Sequence, residues 1–323
     1  MRLLDLDRTV IESILQRSVE YASESTVAAA GLRNVGPVAS LFQGSSYWEE
    51  QMTEMASTRL GKPVARLRWP DQVVLSDEER LEFLSEIGAS LQLLLTTSVD
   101  PDTFGAGRAF LEKAIERTGA GFVDLRDDIY AHLASLAHLS VLHQALGALR
   151  GKRVVLGWGF GSRFELPSTV HSLLTTAPIL GLNVRLVCPL EFAPLRRVVK
   201  QAHTLAARNS TELVELRNLD EGLSGADAVI LLNWCCLDHF NDYERNREIA
   251  LSYKDWFLSA ERLPPDCYFV TQPPAETDLI ATDGCLRSTM NLTPKWFGTG
   301  VAVLCALMEE LAKGEVSVPR MFL

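Results

Sequence analysis

The sequence predicts an α/β protein built as two doubly wound parallel-sheet domains, and three observations carry that prediction. Apolar runs of strand length alternate with segments whose apolar residues recur at helical spacing, as a parallel sheet with crossover helices requires. The second half repeats this alternation through five strand-like runs. A chain of 323 residues has room for about two domains at roughly 150 residues each.

Each element follows from its residues. In the first half, helical spacing runs over Arg8 to Ser23, Ser45 to Leu60, Asp77 to Ile87 and Gly107 to Thr118. Between these helices, VARLRW, LQLLLTT and GFVDLR read as strands. Asp128 to Leu149 predicts a long helix that brings the first domain to a close at about 147. From Arg153 the strands are RVVLGW, NVRLVCP, TELVELR, DAVILLNW and CYFVTQPP. The helices among them are PSTVHSLLTTAPILG, LRRVVKQAHTLAARN, NLDEGLSGA and NREIALSYKDWFLSAERL, followed by GTGVAVLCALMEELAKG. The expected division is 1–147, 148–302, and a closing helix and tail at 303–323 that packs back on the first domain. No internal repeat or low-complexity tract interrupts the chain.

Charge excludes several functions. With 31 Lys and Arg against 41 Asp and Glu, the net charge of -10 has the wrong sign for neutralising nucleic-acid phosphates. No window reaches the ~18 apolar residues of a membrane span, and MRLLDLDRTVIE has acids where a secretory leader needs an apolar stretch. These features predict a cytoplasmic protein with no nucleic-acid or membrane partner. The six cysteines, Cys188, Cys235, Cys236, Cys267, Cys285 and Cys305, show no metal-ligand spacing and sit largely in apolar runs. They are expected to be free, buried thiols, and neither a metal nor a cofactor is expected.

Ligands of open α/β sheets bind outside the carboxyl ends of the strands. The ends to inspect are 158–167, 188–192, 233–238 and 271–276. One of them carries Gly157, Gly159 and Gly161, but Ser162 replaces the third glycine of a dinucleotide fingerprint and Pro167 delays the helix. A nicotinamide site is therefore not expected.

The motifs VVLGWGFGSRFELPSTVHSLL, GLNVRLVCPLEF, LSGADAVILLNW and DWFLSAERLPPDCYFVTQPP occur in that order. Together they resemble the second domain of the aspartate and ornithine transcarbamylase superfamily, most of all the branch acting on N-acetylornithine or N-succinylornithine. In the first half, LFQGSSYWEEQMTEMASTRLG, DTFGAGRAF and DDIYAHLAS resemble three further family segments. The resemblance implies a homotrimer with sites shared between subunits and an amino-acid-like substrate. The branch also carries a knotted loop in its second domain, and the proline-containing loop from Glu165 to Ser168 is compatible with such threading.

Transcarbamylation requires a grip on a dianionic phosphate, which the family's Ser-x-Arg-Thr-Arg at a helix N-terminus provides. Those positions here read Ser46, Tyr47, Trp48, Glu49 and Glu50. A carboxylate about 4 Å from a phosphate costs about 4 kcal/mol at an effective dielectric of 20, so carbamoyl phosphate is not expected in the inherited pose. The acids also read simply as favourable first-turn residues of a helix. Arg108, read as lying on a strand, and His132 match the family's polarising arginine and histidine, with Ser135 in the place of the histidine's glutamine partner. Absent the resemblance, they read as a surface arginine and a capped helix histidine. On the amine side, Thr271, Gln272, Pro273 and Pro274 replace His-Cys-Leu-Pro, the Asn233-Trp234 pair is kept, and Lys295-Trp296 stands near the family's Asn-Arg. Trp234 reads equally as strand-end packing.

Three functions compete. The leading one is a divergent enzyme in which Arg108, His132 and Glu50 are catalytic. Its substrate would be an amine, guanidino or amino-acid-like molecule held by Ser46, Trp48, Glu49, Ser135, Asn233, Trp234, Gln272, Pro273 and Lys295. The second is a non-catalytic scaffold with Trp48 and Trp158 filling the old phosphate space. The third is a true carbamoyltransferase with a phosphate site relocated to Arg163 or Lys295.

Overall fold

A computed structural model describes residues 6–23, 36–44, 46–69, 75–118, 121–271 and 273–312. The chain divides into a unit of 1–134 with 297–323 and a unit of 135–296. The division falls inside one helix, α5 (His132–Leu146), and at the start of another, α11 (Trp296–Ala312).

The first unit opens with α1 (Arg8–Ser23) and alternates β1 (Val38–Gln43), α2 (Tyr47–Leu60), β2 (Val64–Leu67), α3 (Asp77–Gly88), β3 (Leu93–Ser98), α4 (Ala106–Arg117) and β4 (Gly121–Asp127). Its strands are all parallel, in the order β2-β1-β3-β4. Strand β1 is a correction to the sequence reading, which placed three strands here. It lies inside the sheet, with Val38 opposite both Val64 and Leu93. Val38, Ala39, Ser40 and Leu41 are all buried, so β1 shows neither the alternation of a half-exposed strand nor a long apolar run. The end of α11 is tied to α1, where Tyr21 Oη and Arg17 Nε both donate to Glu309 Oε2, at 2.9 and 2.8 Å.

In the second unit, β5 (Arg153–Trp158), α6 (Ser168–Thr176), β6 (Asn183–Val187), α7 (Arg196–Arg208), β7 (Leu213–Leu216), α8 (Leu219–Leu223), β8 (Ala228–Leu232), α9 (Tyr243–Ala250), β9 (Tyr268–Thr271) and α10 (Asp283–Leu286) follow in turn. The parallel sheet runs β7-β6-β5-β8-β9, so the chain winds one way from β5 and then the other from β8. All five strands expected from the sequence are present. Two helices are shorter than their periodicity suggested. Helix α6 stops before Pro178, and the segment after α9 leaves helical geometry so that Leu258 N can donate to Ile280 O at 2.9 Å.

Trp158 is fully buried at the end of β5 and stacks on Phe192, with ring centroids 4.3 Å apart. Its indole N–H donates to Trp234 O at 2.9 Å, and the Trp234 indole N–H donates to Phe192 O at 2.7 Å. Trp158 is thus second-unit core rather than a plug in a first-unit lobe. Trp158→Ala should lower the unfolding free energy by about 3–5 kcal/mol in urea titration, through lost burial and the cavity left behind.

Candidate functional site

The C-terminal edge of the first sheet collects half of the anticipated site residues, namely Ser46, Trp48, Glu49, Glu50, Arg108 and His132. The carboxylates of Asp127 and Asp128, which sequence reasoning missed, shape that edge. Asp127 Oδ1 accepts from Ile129 N and Tyr130 N at 2.6 and 2.7 Å. Asp128 accepts from the backbone N–H groups of Asp100, Gly105 and Gly107 at 2.8, 3.0 and 2.7 Å. These bonds satisfy donors in the loop after β3, at the start of α4 and in the turn before α5, donors that no helix carbonyl can reach. Burial is the main influence on Asp128 and raises its pKa above the ordinary carboxylate value.

Arg108 lies in the first turn of α4, not on a strand as its motif suggested. The N–H groups of Gly105 and Gly107, held by Asp128, begin the helix one residue before Gly107. The Arg108 guanidinium is held on two sides, by Asp127 Oδ2 at 2.9 Å and Glu112 Oε1 at 3.1 Å, and it lies 4.9 Å from the centre of the Tyr130 ring. Tyr130 in turn stacks on His132, the first residue of α5, with centroids 5.6 Å apart. His132 Nε2 lies 3.6 Å from Asp124 Oδ2. The pKa of Asp124 is raised well above the usual carboxylate range, first by burial and then by the negative charge and hydrogen bond of Asp127. Arg108 and His132 are therefore brought into one buried array, joined through Tyr130, Asp124 and Asp127.

At the start of α2, Ser46 Oγ donates to Glu50 Oε1 at 3.0 Å, and Arg66 of β2 pairs with the other Glu50 oxygen. Buried Glu49 has Arg126 of β4 at 4.0 Å. Trp48 packs on Phe297, centroids 5.8 Å apart. Both acids at this helix start therefore have a guanidinium of the protein's own within ion-pair reach. Arg66 and Arg126 carry no local motif, because they meet the acids only across the sheet.

In the second unit, Asn233 follows β8 and its amide donates to Gly159 O at 2.8 Å, across the point where the winding reverses. Trp234 is buried and its indole is committed to Phe192, so packing describes it. Ser135 is buried within α5, Lys295 is exposed before α11, and Pro273 lies just after β9. Gln272 lies outside the described residues. Glu276, another residue the sequence reading did not single out, accepts from Ser162 N at 2.9 Å and also takes the Ser162 hydroxyl. Arg163 donates to Pro274 O and lies 3.7 Å from Glu276 Oε1. The glycines of this loop are needed for close packing. A Cβ on Gly159 would stand 2.6 Å from Leu231 Cδ2, and one on Gly161 would stand 2.7 Å from Glu276 Oε2.

All six cysteines are buried and free. Burial pushes Cys188, Cys235, Cys267 and Cys305 up to about 12 and Cys285 to about 11, which keeps these thiols protonated at neutral pH. Among the described residues no three His, Cys, Asp or Glu side chains are grouped to hold a metal ion, and no helix is long and apolar enough to cross a membrane.

Residues 166–282 match the family model described as the Asp/Orn binding domain of aspartate/ornithine carbamoyltransferase. N-acetylornithine carbamoyltransferase of Xylella fastidiosa is 25% identical over 182 residues, covering 55% of this chain and 54% of that protein. The Xanthomonas campestris enzyme of the same name is 27% identical over 158 residues, or 47% of each chain. This chain thus spans about half the length of these curated relatives. Acetylornithine transcarbamylase complexed with acetylcitrulline superimposes with a TM-score of 0.84 at 20% identity, covering 96% of this chain and 97% of that one. A variant of N-acetyl-L-ornithine transcarbamylase complexed with carbamyl phosphate and N-succinyl-L-norvaline gives 0.83 at 20%, covering 96% and 98%. These likenesses establish the fold.

Two substitutions test the buried array. Asp127→Ala removes the acceptor of two backbone donors and a guanidinium, so stability should fall by about 3–5 kcal/mol in denaturant titration. Asp124→Asn tests the raised carboxyl. A carboxyl whose folded pKa is elevated stabilises fully below the ordinary carboxylate range, and that contribution is lost as pH rises through the elevated value. Thermal midpoints from pH 4 to 9 should therefore fall less steeply on the alkaline side in Asp124→Asn than in the wild type.

Proposed function

Because the chain belongs to the aspartate/ornithine transcarbamylase superfamily, we propose that it is a divergent member that binds an amino-acid-like substrate in its second domain and does not use carbamoyl phosphate in the inherited pose. The observation that carries this reading is the pairing of Glu49 with Arg126 and Glu50 with Arg66 at the start of α2. A helix N-terminus with a serine and guanidinium groups attracts an anion, and here the protein's own carboxylates meet that attraction. A phosphate entering there would have to displace two carboxylates and would then face them as like charges.

The pairing also revises the roles of the acids. Glu50 hydrogen-bonds Ser46 and pairs with Arg66, so it is better suited to closing the lobe than to acting as a base or receiving a substrate cation. The groups with acid-base chemistry are His132 and Asp124 beside it, whose carboxyl pKa is raised by burial. We assign proton transfer to that pair and carbonyl polarisation to Arg108, whose bonds to Asp127 and Glu112 fix its fork. The match of residues 166–282 to an Asp/Orn binding domain supports the amino-acid side of the reading. A cytoplasmic homotrimer is proposed from the family resemblance.

Isothermal titration of the full chain checks the reading. Ornithine, arginine, N-acetylornithine or norvaline should give saturable heat, whereas carbamoyl phosphate and inorganic phosphate should give none at millimolar concentration. Micromolar binding of carbamoyl phosphate would overturn the argument from the paired acids and restore a true carbamoyltransferase. Absence of binding by every amino acid would favour the non-catalytic scaffold.

A further inference from the structure

A cleft of about 460 Å³ opens in the second unit, where the segments after β6 and β8 meet α9 and the turn that follows it. It begins three residues beyond Asn233, at Cys236. Tyr253 forms one wall, and its ring stands edge-on to Trp158, Phe192 and Trp256 with centroids 6.1, 6.2 and 6.1 Å away. Trp158 and Phe192 are fully buried, so this wall is backed by rigid core. The Tyr253 hydroxyl donates to Glu191 Oε2 at 2.6 Å and holds that carboxylate at the cleft. Burial and Glu191 push the phenol up to about 12, so it remains a donor at neutral pH.

The charge of the lining is unbalanced. Glu191, Asp238 and Glu248 contribute carboxylates, against the single guanidinium of Arg245, which is 2.8 Å from Glu248. Among the described residues no Lys or Arg pairs with Glu191 or Asp238. The lining also includes Ile249, while Leu190 and Leu251, next to lining residues Glu191 and Ser252, are 72% and 47% exposed. The site therefore combines a fixed aromatic face, apolar carbon and net negative charge. An inorganic cation would gain nothing from the apolar carbon, and no metal-ligand grouping is present among the described residues. An organic cation uses all three, through ion pairing, contact with the ring and burial of its carbon chain.

We propose that this cleft receives the ammonium or guanidinium end of an amino-acid-like ligand, with Glu191 and Asp238 taking the charge and Tyr253 and Ile249 covering its carbon chain. The inference rests on the amino-acid-binding reading above and adds the sign and place of the ligand's far end.

The test is calorimetric titration of the full chain with L-arginine, L-ornithine and L-norvaline, at low salt and at 0.5 M NaCl. Norvaline lacks the side-chain cation and should bind about tenfold or more weaker than arginine or ornithine. Glu191→Gln and Asp238→Asn should each weaken arginine or ornithine about tenfold, while norvaline is unaffected. Arg245→Gln removes a like charge and should strengthen cation binding, and added salt should weaken it. Matching unfolding midpoints for the variants will separate these effects from misfolding. If arginine and ornithine bind equally well to wild type, Glu191→Gln and Asp238→Asn, the cleft assignment falls while the amino-acid reading stands. The same holds if norvaline binds as tightly as the cations. If none of these amino acids binds, both fall.

Discussion

Buried carboxylates that accept backbone N–H groups govern the first unit. A parallel strand that ends beneath helix N-termini leaves donors that have no partner within either element. Asp127 and Asp128 meet five such donors, those of Ile129, Tyr130, Asp100, Gly105 and Gly107. The same bonds set where α4 begins and lead the chain into α5, so they also aim Arg108 and His132. Burial, and then the negative charge and hydrogen bond of Asp127, raise the pKa of nearby Asp124 well above the usual carboxylate range, although Arg108 acts in the opposite sense. The polar centre is thus a consequence of how the strand end is satisfied.

The second unit meets the same constraint with different groups. The amide of Asn233 closes the reversal point by donating to Gly159 O, and Glu276 caps the loop at Ser162. Trp158 and Trp234 exchange indole hydrogen bonds with the backbone while filling the core. Glycine is retained in this loop because Leu231, Asn233 and Glu276 already occupy the space a Cβ would need. A run of glycines that invites a phosphate-cradle reading is therefore accounted for by side-chain packing alone.

Charge placement links fold and proposed function. An acid in the first turn of a helix is favourable by itself, and Glu49 and Glu50 also meet guanidinium groups from β4 and β2. The lobe is thereby neutralised from within, whereas in the cleft beside α9 only Glu248 has an arginine partner, and among the described residues no Lys or Arg pairs with Glu191 or Asp238. Electrostatics shifts the expected contact with a cationic ligand from the first unit to the second.

The sequence by itself determined the helix–strand alternation, the five parallel strands of the second unit and the likeness of their connecting motifs to a known superfamily, because period and turn chemistry are local properties. It also placed His132 at a helix start and the cysteines in apolar surroundings. Strand β1 escaped because a short strand buried on both sides carries no alternation, while for Arg108 the helical spacing over Gly107 to Thr118 matched α4 and the motif likeness to a strand did not. Tertiary structure alone decided which charges meet. Arg66 joins Glu50 across 16 residues of chain, and Glu276 reaches Ser162 across 114. A carboxylate's role depends on the donors brought to it, and sheet order rather than sequence distance delivers them.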